Sequence, residues 1–591
     1  MSPLGRTWVR SVTIIQFNNS SEKNPIVVMI KKYKRYLVIA FTALVSIGSY
    51  SFVDDYFEVS KNLDIFSTLF REVNLYYVDP VDPGKLMKKG IDQMLNDLDP
   101  YTNFIPEADI EDYRFMTTGQ YGGIGAVIRQ KGDFVVVSDP YEGYPAQKSG
   151  LIAGDLILEI DGNSTKGKRT DEISRFLKGA PKTQVKLLIK RDGETNTFEK
   201  TLTREEVKVK SVPFSGMIAN GIGYIKLNSF TESCGKDVAD ALKTLKASGN
   251  LTGLVFDLRG NPGGLLNEAV NISNVFVERG KDIVNTKGKL KDQDRTYKAI
   301  NEAIDTNIPV VVLVNSGSAS ASEIVSGSLQ DLDRAVILGQ RTFGKGLVQT
   351  TRPLSYNSQV KITTAKYYIP SGRCIQALDY THRNEDGSVG KVPDSLVTAF
   401  KTSAGRKVFD GGGVLPDVIT EPRKLSSIAI SLLNKNLIFD YATLYRKNHP
   451  TSASDLVHLT DNDFEDFIRY ISDKEYDYTT KTEKSLDEMK KNSEDEKYYN
   501  DIKNEFDALK AKLTHNKSDD VLRNKGEIVS LLEEEIAGRY FYQSGRIRQA
   551  LTTDKDVTRA LEVLKDASYF KGILSGAVKA DAAQPSPDVK H

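Results

Sequence analysis

The chain is 591 residues long, 39% hydrophobic and 27% charged, which suits several globular domains, each with its own core. Its 80 lysines and arginines nearly balance 79 aspartates and glutamates, a formal charge of +1, so composition gives no general attraction to nucleic acid or acidic surfaces. The two cysteines, Cys234 and Cys374, exclude a disulfide framework, and no HExxH or paired Cys/His spacing calls for a metal.

The first recognisable element is a targeting segment within residues 1–53. Lys31, Lys32, Lys34 and Arg35 precede an uncharged run, Tyr36–Val53. Its eighteen residues at about 1.5 Å each reach roughly 27 Å, close to a hydrocarbon core. Cations on this side keep the N-terminus cytoplasmic and export the rest. A signal anchor is favoured over a cleaved signal, because Ser46-Ile47-Gly48 makes a poor cleavage site. Residues 54–119 are helical in pattern, with Leu63, Phe66, Leu69, Phe70 and Val73 at helical spacing and a break at Asp99-Pro100-Tyr101.

Residues 120–209 begin with Tyr121-Gly122-Gly123-Ile124-Gly125, followed by PAQKSGLIAGDLILEIDG (145–162) and alternating strands at 185–190 and 198–202. This is the signature of a PDZ domain. The amides around Gly123, Ile124 and Gly125 would hold a peptide carboxylate, and the peptide would add as a strand beside them.

Residues 210–422 carry the chemistry. Strand patterns at 222–227 and 254–257 flank a helical stretch at 237–245, and DLRGNPGG (257–264) is a glycine turn. Val310–Val314 reads as a buried strand; a small-residue turn, a helix (323–329) and a second strand (335–338) follow. Open α/β sheets place their chemistry at such turns. A serine of the Ser318/Ser320/Ser322 cluster could act as nucleophile if a base took its proton. Lys345, between two glycines, could be that base if burial lowered its pKa. The plainer alternative is that Ser320-Ala321-Ser322-Glu323 only caps a helix. Even so, a helix start leaves the Ala321 amide free for an oxyanion. Gly339–Gly346 approaches a phosphate-binding loop, but Gly346 replaces the magnesium-binding hydroxyl and a strand follows, so nucleotide binding is rejected. His382, the only histidine of this region, reads as a solvated loop residue rather than a rival base.

Residues 423–575 read as a helical domain for packing, dimerisation or partner contact, with dense Glu/Lys pairing at 474–512. Residues 576–591 have the composition of a disordered tail.

SASASEI (318–324), Asp331, TFGKG (342–346) with Val348-Gln349, DLRGNPGG and YYIPSGRCIQ (367–376) together resemble the carboxyl-terminal processing, or tail-specific, proteases. The resemblance spans roughly residues 57–419. It implies a multidomain α/β protein: a mixed-sheet serine peptidase core with an inserted PDZ domain, an N-terminal helical segment and a C-terminal helical domain. It assigns Ser320 as nucleophile, Lys345 as general base, Gln349 as the residue orienting the lysine and Asp331 as an acidic support. Oxyanion donors would be the amides of Ala321 and Gly264. Lys178 stands where some members carry a tail-sensing arginine, and a lysine lacks that planar fork. The implied activity is endopeptidase cleavage near protein C-termini captured by the PDZ domain, without cofactor, in the periplasm at the inner membrane, with homo-oligomers left open and no nucleic acid. A non-catalytic PDZ scaffold on an inactive protease fold is the alternative.

Overall fold

The computed structural model describes residues 56–578 except 385, 453, 477 and 514–516. The targeting segment expected at 36–53 and most of the tail expected at 576–591 lie outside the described residues. Among the described residues, no helix is long and apolar enough to cross a membrane.

The chain divides into two compact units, residues 1–93 and 94–591. In the first, a helix covers 56–76. Its expected packing residues Leu63, Phe66 and Leu69 are exposed within their own unit.

The second unit begins in the helix Pro83–Asn96, followed by a short strand, Asn103–Ile105, and the helix Ile110–Thr118. The helical pattern expected over 54–119 is interrupted at Asp99-Pro100-Tyr101, where the sequence placed a break, and also at 77–82. The PDZ sheet runs in the order 126–131, 134–140, 156–160, 184–190, 198–203, all antiparallel. Alternating residues of these strands and of the helix Thr170–Leu177 (Val135, Val137, Ile157, Ile173, Val185, Leu187) fill its core. Strand Ala126–Lys131 lies at the edge of this sheet, the position at which a peptide strand could be added.

The peptidase core has two sheets. The larger orders its strands 214–219, 222–226, 253–257, 310–314, 336–339, 418–419, and all pairs but the first are parallel. Val310–Val314 is buried throughout, as a central parallel strand covered on both faces must be. One face carries helices Cys234–Ala247, Leu266–Phe276 and Ala321–Asp331. The other is covered by Lys555–Lys565 and Ala567–Ser575, whose Val557, Ala560, Val563, Phe570 and Ile573 pack on Val255, Val311 and Leu338. The sequence groups these last two helices with the helical domain at 423–575. In space they complete the peptidase core. The smaller sheet is antiparallel, built around Gln359–Tyr368 with Asn103–Ile105, Asp282–Gly288 and Leu347–Pro353.

The helices Ser427–Asn434, Leu437–Asn448, Asp461–Ile471 and Lys525–Leu551 share a separate core including Leu432, Ile438, Phe464, Phe467, Ile528 and Leu532. This helical domain holds the PDZ domain. Phe439 is sandwiched between the guanidinium groups of Arg129 and Arg539, 3.5 and 4.2 Å from its ring centroid, and Lys131 pairs with Asp440 at 2.7 Å.

Candidate active site

The strand Val310–Val314 delivers the chain into Asn315–Ser320, and the helix Ala321–Asp331 carries it away. Two serines of the cluster are committed to the scaffold. Ser318 Oγ donates to the Leu258 carbonyl (2.9 Å) and Ser322 Oγ to the Asn261 carbonyl (2.9 Å), both fully buried. Ser320 is half-buried at the N-cap, with φ 55° and ψ −113°. A serine held at such dihedrals stores about 1–3 kcal/mol of backbone strain, a feature that clusters at functional sites.

The DLRGNPGG turn lies against it. Asn261 is the fastener: its carbonyl accepts the Ala319 N–H (3.1 Å), its Nδ2 donates to the Leu227 carbonyl (2.9 Å), and its Oδ1 accepts the Gly263 N–H (2.9 Å). Gly263 has φ 96°, and a Cβ there would stand 2.6 Å from the Ala319 oxygen and 2.9 Å from Ser320 Cβ, so only glycine fits. Among the described residues, neither the Ala321 N–H nor the Gly264 N–H meets an acceptor. The first directly follows Ser320 in the chain, and the second follows Gly263, which abuts Ser320.

Lys345 arrives from the other sheet, on the loop leading into Leu347–Pro353. Glu323, fully buried on the Ser320 helix, organises this loop. Its Oε2 accepts the N–H of Ser320 (2.8 Å) and of Lys345 (2.9 Å); its Oε1 accepts the Gly344 N–H (2.7 Å) and the Thr342 hydroxyl (2.6 Å). Burial pushes this carboxyl up to about 7, and the four donors oppose that rise by favouring the carboxylate. On the carbonyl side, the buried Tyr367 hydroxyl lies 3.1 Å from the Ser320 oxygen and 2.5 Å from the Lys345 oxygen. The backbones of Ser320 and Lys345 are thus joined twice.

The Lys345 ammonium is lowered to about 8, first by burial and then by Lys361, with Asp99 and Glu323 acting the other way. Its Nζ lies 4.1 Å from the Tyr101 ring centroid and donates no hydrogen bond to any described residue, Ser320 and Gln349 included. Gln349 Nε2 instead donates to Thr363 Oγ1 at 3.1 Å.

Asp331, expected as an acidic support, stands at the far end of the 11-residue helix, roughly 16 Å along its axis from Ser320. Its carboxylate accepts from Arg373 (2.8 Å) and from the Ser371 N–H (3.0 Å) in an ion pair with both side chains essentially buried. Its role is therefore to hold the 371–376 loop, whose Gln376 Oε1 accepts the Gly346 N–H at 2.7 Å. His382 is exposed and pairs with Asp379 at 2.8 Å. Burial raises both cysteine thiols, which disfavours the thiolate form.

In the PDZ domain Gly123, Ile124 and Gly125 are buried, and the carbonyls of Ile124 and Gly125 accept from Ala146 (2.8 Å) and Tyr141 (2.9 Å). Burial raises the Tyr121 phenol, opposed by the amides of Ala126 and Gly125 at its oxygen; these belong to the loop a peptide carboxylate would use. Lys178 is drawn aside by Asp112 (2.6 Å). Phe115, on the same helix as Asp112, meets Tyr121 edge-to-face at 5.2 Å, and Tyr113 of that helix hydrogen-bonds Thr351 in the strand after Lys345.

Glu323, Tyr367, Asn261 and Tyr101 were not assigned roles from sequence. Each lay in a stretch the sequence singled out without a role for it: Glu323 as the fourth residue of the capping pattern, Asn261 in DLRGNPGG, Tyr367 at the head of YYIPSGRCIQ and Tyr101 at the helix break.

Comparison with known proteins places this geometry. The model of peptidase family S41 matches residues 221–382, that of a PDZ domain residues 136–191, and that of the C-terminal helical domain of a probable PDZ-protease residues 428–564. The carboxy-terminal-processing protease of Bartonella bacilliformis is 37% identical over 324 residues, 54% of this chain and 74% of its own length. A probable CtpA-like serine protease of Staphylococcus aureus is 35% identical over 347 residues, 57% of this chain and 68% of its own. Among solved structures, the photosystem II D1 C-terminal processing protease is 32% identical, covering 61% of this chain and 87% of its own, with a TM-score of 0.33 that carries nothing about domain arrangement. The chain belongs to peptidase family S41, as a serine-type peptidase with a PDZ domain, of the carboxy-terminal-processing kind.

Proposed function

We propose that this peptidase captures polypeptide C-termini in its PDZ domain and cleaves near the tail with Ser320 as nucleophile and Lys345 as general base. The observation that carries the reading is the shared carboxylate oxygen of Glu323, which draws the Ser320 and Lys345 backbones together. Neutral Lys345 takes the Ser320 proton, and the alkoxide attacks the scissile carbonyl. The free amides of Ala321 and Gly264 receive the oxyanion, each donor contributing about 3–4 kcal/mol to the transition state. Lys345 then protonates the leaving amine, and water releases the acyl-enzyme. Burial, which lowers the lysine to about 8, supports its role as base.

Peptide capture by strand addition at Ala126–Lys131 supplies affinity with little sequence demand. The helix Ile110–Thr118 supports coupling between the two sites. Its Asp112 and Phe115 touch the PDZ domain, while Tyr113 touches the Lys345 strand. Export, anchoring at the inner membrane through residues 36–53, and homo-oligomers belong to the same proposal; the apolar face left bare on the helix 56–76 fits the last.

Incubating the purified protein with an unfolded polypeptide bearing an apolar tail, and reading the products by mass spectrometry, tests the reading. Cleavage that disappears in Ser320→Ala supports it. Tail binding without cleavage by the wild type would leave a PDZ scaffold.

A further inference from the structure

The amine expected to serve Ser320 is occupied elsewhere. Lys345 Nζ sits over the face of Tyr101, 4.1 Å from the ring centroid, and donates to neither Ser320 nor Gln349. A cation over an aromatic face is held by the ring quadrupole, and only the ammonium is held in this way. A general base must give that charge up.

The ring is firmly mounted. Asp99, buried, accepts the N–H of Tyr101 and of Thr102 (both 2.8 Å) and the Thr102 hydroxyl (3.1 Å). Thr102 Oγ1 in turn accepts the Thr363 N–H (3.2 Å), and Thr363 Oγ1 accepts the Gln349 amide (3.1 Å). Tyr380 backs the ring edge-on at 6.1 Å. One network therefore fixes Tyr101 and engages Gln349 at the same time.

We propose that Tyr101 is a positioning residue that parks Lys345 as the ammonium on its π face, keeping the resting site closed until the amine loses its proton to water and leaves the ring for Ser320. The proposal rests on the Ser320/Lys345 assignment above. The groups facing the amine are Glu323 from the Ser320 helix, Lys361 from the strand Gln359–Tyr368, and Asp99 and Tyr101 from the loop; Tyr367 meets the Lys345 carbonyl and Tyr380 stands behind the ring. Replacing Tyr101 by Leu or Met keeps an apolar cover but removes the π face together with the hydroxyl that bonds Tyr380, whereas Tyr101→Phe removes the hydroxyl alone.

The test is the pH dependence of kcat/KM for the full chain against an unfolded polypeptide with an apolar tail. For Tyr101→Leu and Tyr101→Met the rising limb should move down by about one pH unit, with a several-fold gain at neutral pH, while Tyr101→Phe tracks the wild type. A limb that stays in place or moves up in both π-free variants, or a uniform loss at every pH, would overturn the proposal. Lys345→Ala is the control: its cleaving like the wild type would instead remove the dyad on which the proposal stands.

Discussion

Ser320 and Lys345 donate their backbone amides to one oxygen, Glu323 Oε2, at 2.8 and 2.9 Å. The two nitrogens can be no farther apart than those lengths laid end to end. In Glu323→Gln an amide NH2 replaces one acceptor among groups that all donate. A displacement of about 1 Å in either residue costs on the order of 10²-fold in rate. The variant should lose about that much kcat/KM while still binding tail peptides, and Glu323→Ala should in addition unfold about 1–3 kcal/mol more easily in urea, since buried donors lose their partner.

The pH behaviour follows from Lys345. Its folded value, about 8, lies below the ordinary 10.5, so kcat/KM should rise with pH through about 8. Stability carries the same sign. Between about 8 and 10.5 the unfolded chain binds the proton that the folded site gives up, so the burial penalty is complete below 8 and fades as pH rises toward 10.5. Urea unfolding of Lys345→Met should lack this rise.

Asp331 separates chemistry from scaffold. Both side chains of its ion pair with Arg373 are essentially buried, and removing one partner of such a pair costs about 3–5 kcal/mol. Asp331→Ala should therefore lower the unfolding midpoint, with kcat/KM per folded molecule falling far less than in Lys345→Ala. Equal losses in the two variants would place Asp331 in the reaction.

The C-terminal helices should be indispensable to the peptidase core. Arg259, within the DLRGNPGG turn, pairs with Asp257 (2.7 Å), Asp554 (2.8 Å) and Asp556 (3.0 Å), tying that turn to the helix Lys555–Lys565. Phe570→Ala should cost about 3–5 kcal/mol of core stability, and ending the chain before Asp554 should abolish cooperative unfolding in circular dichroism.

Tyr121 makes a prediction for the PDZ domain. Its oxygen meets the amides of Ala126 and Gly125. In Tyr121→Phe those donors are released, and an apolar-tailed peptide should bind several-fold tighter by calorimetry to a Ser320→Ala background.

The fold class was legible in the sequence because burial writes itself into composition. Val310–Val314 is wholly apolar since both faces of its sheet are covered. The start of the Ser320 helix was legible for a different reason: the fourth residue of the capping pattern, Glu323, really does accept the Ser320 amide. The same carboxylate also reaches Thr342, Gly344 and Lys345, and no local pattern records that. Nor could spacing tell which glycine of Gly263-Gly264 keeps a free amide, because Asn261 Oδ1 decides it by taking the Gly263 N–H. The helices Lys555–Lys565 and Ala567–Ser575 show an apolar face in sequence, but an apolar face does not name the core it joins. Tyr101 was visible only as part of a break between helices, since its partner Lys345 comes from a remote part of the chain.

The most direct measurement is kcat/KM of Lys345→Arg at about pH 8.5. Arginine keeps length and positive charge but does not release its proton in this range. A lysine acting as base predicts a loss of about 10²–10⁴-fold, as deep as in Lys345→Ala. Cleavage by Lys345→Arg within tenfold of wild type would contradict it.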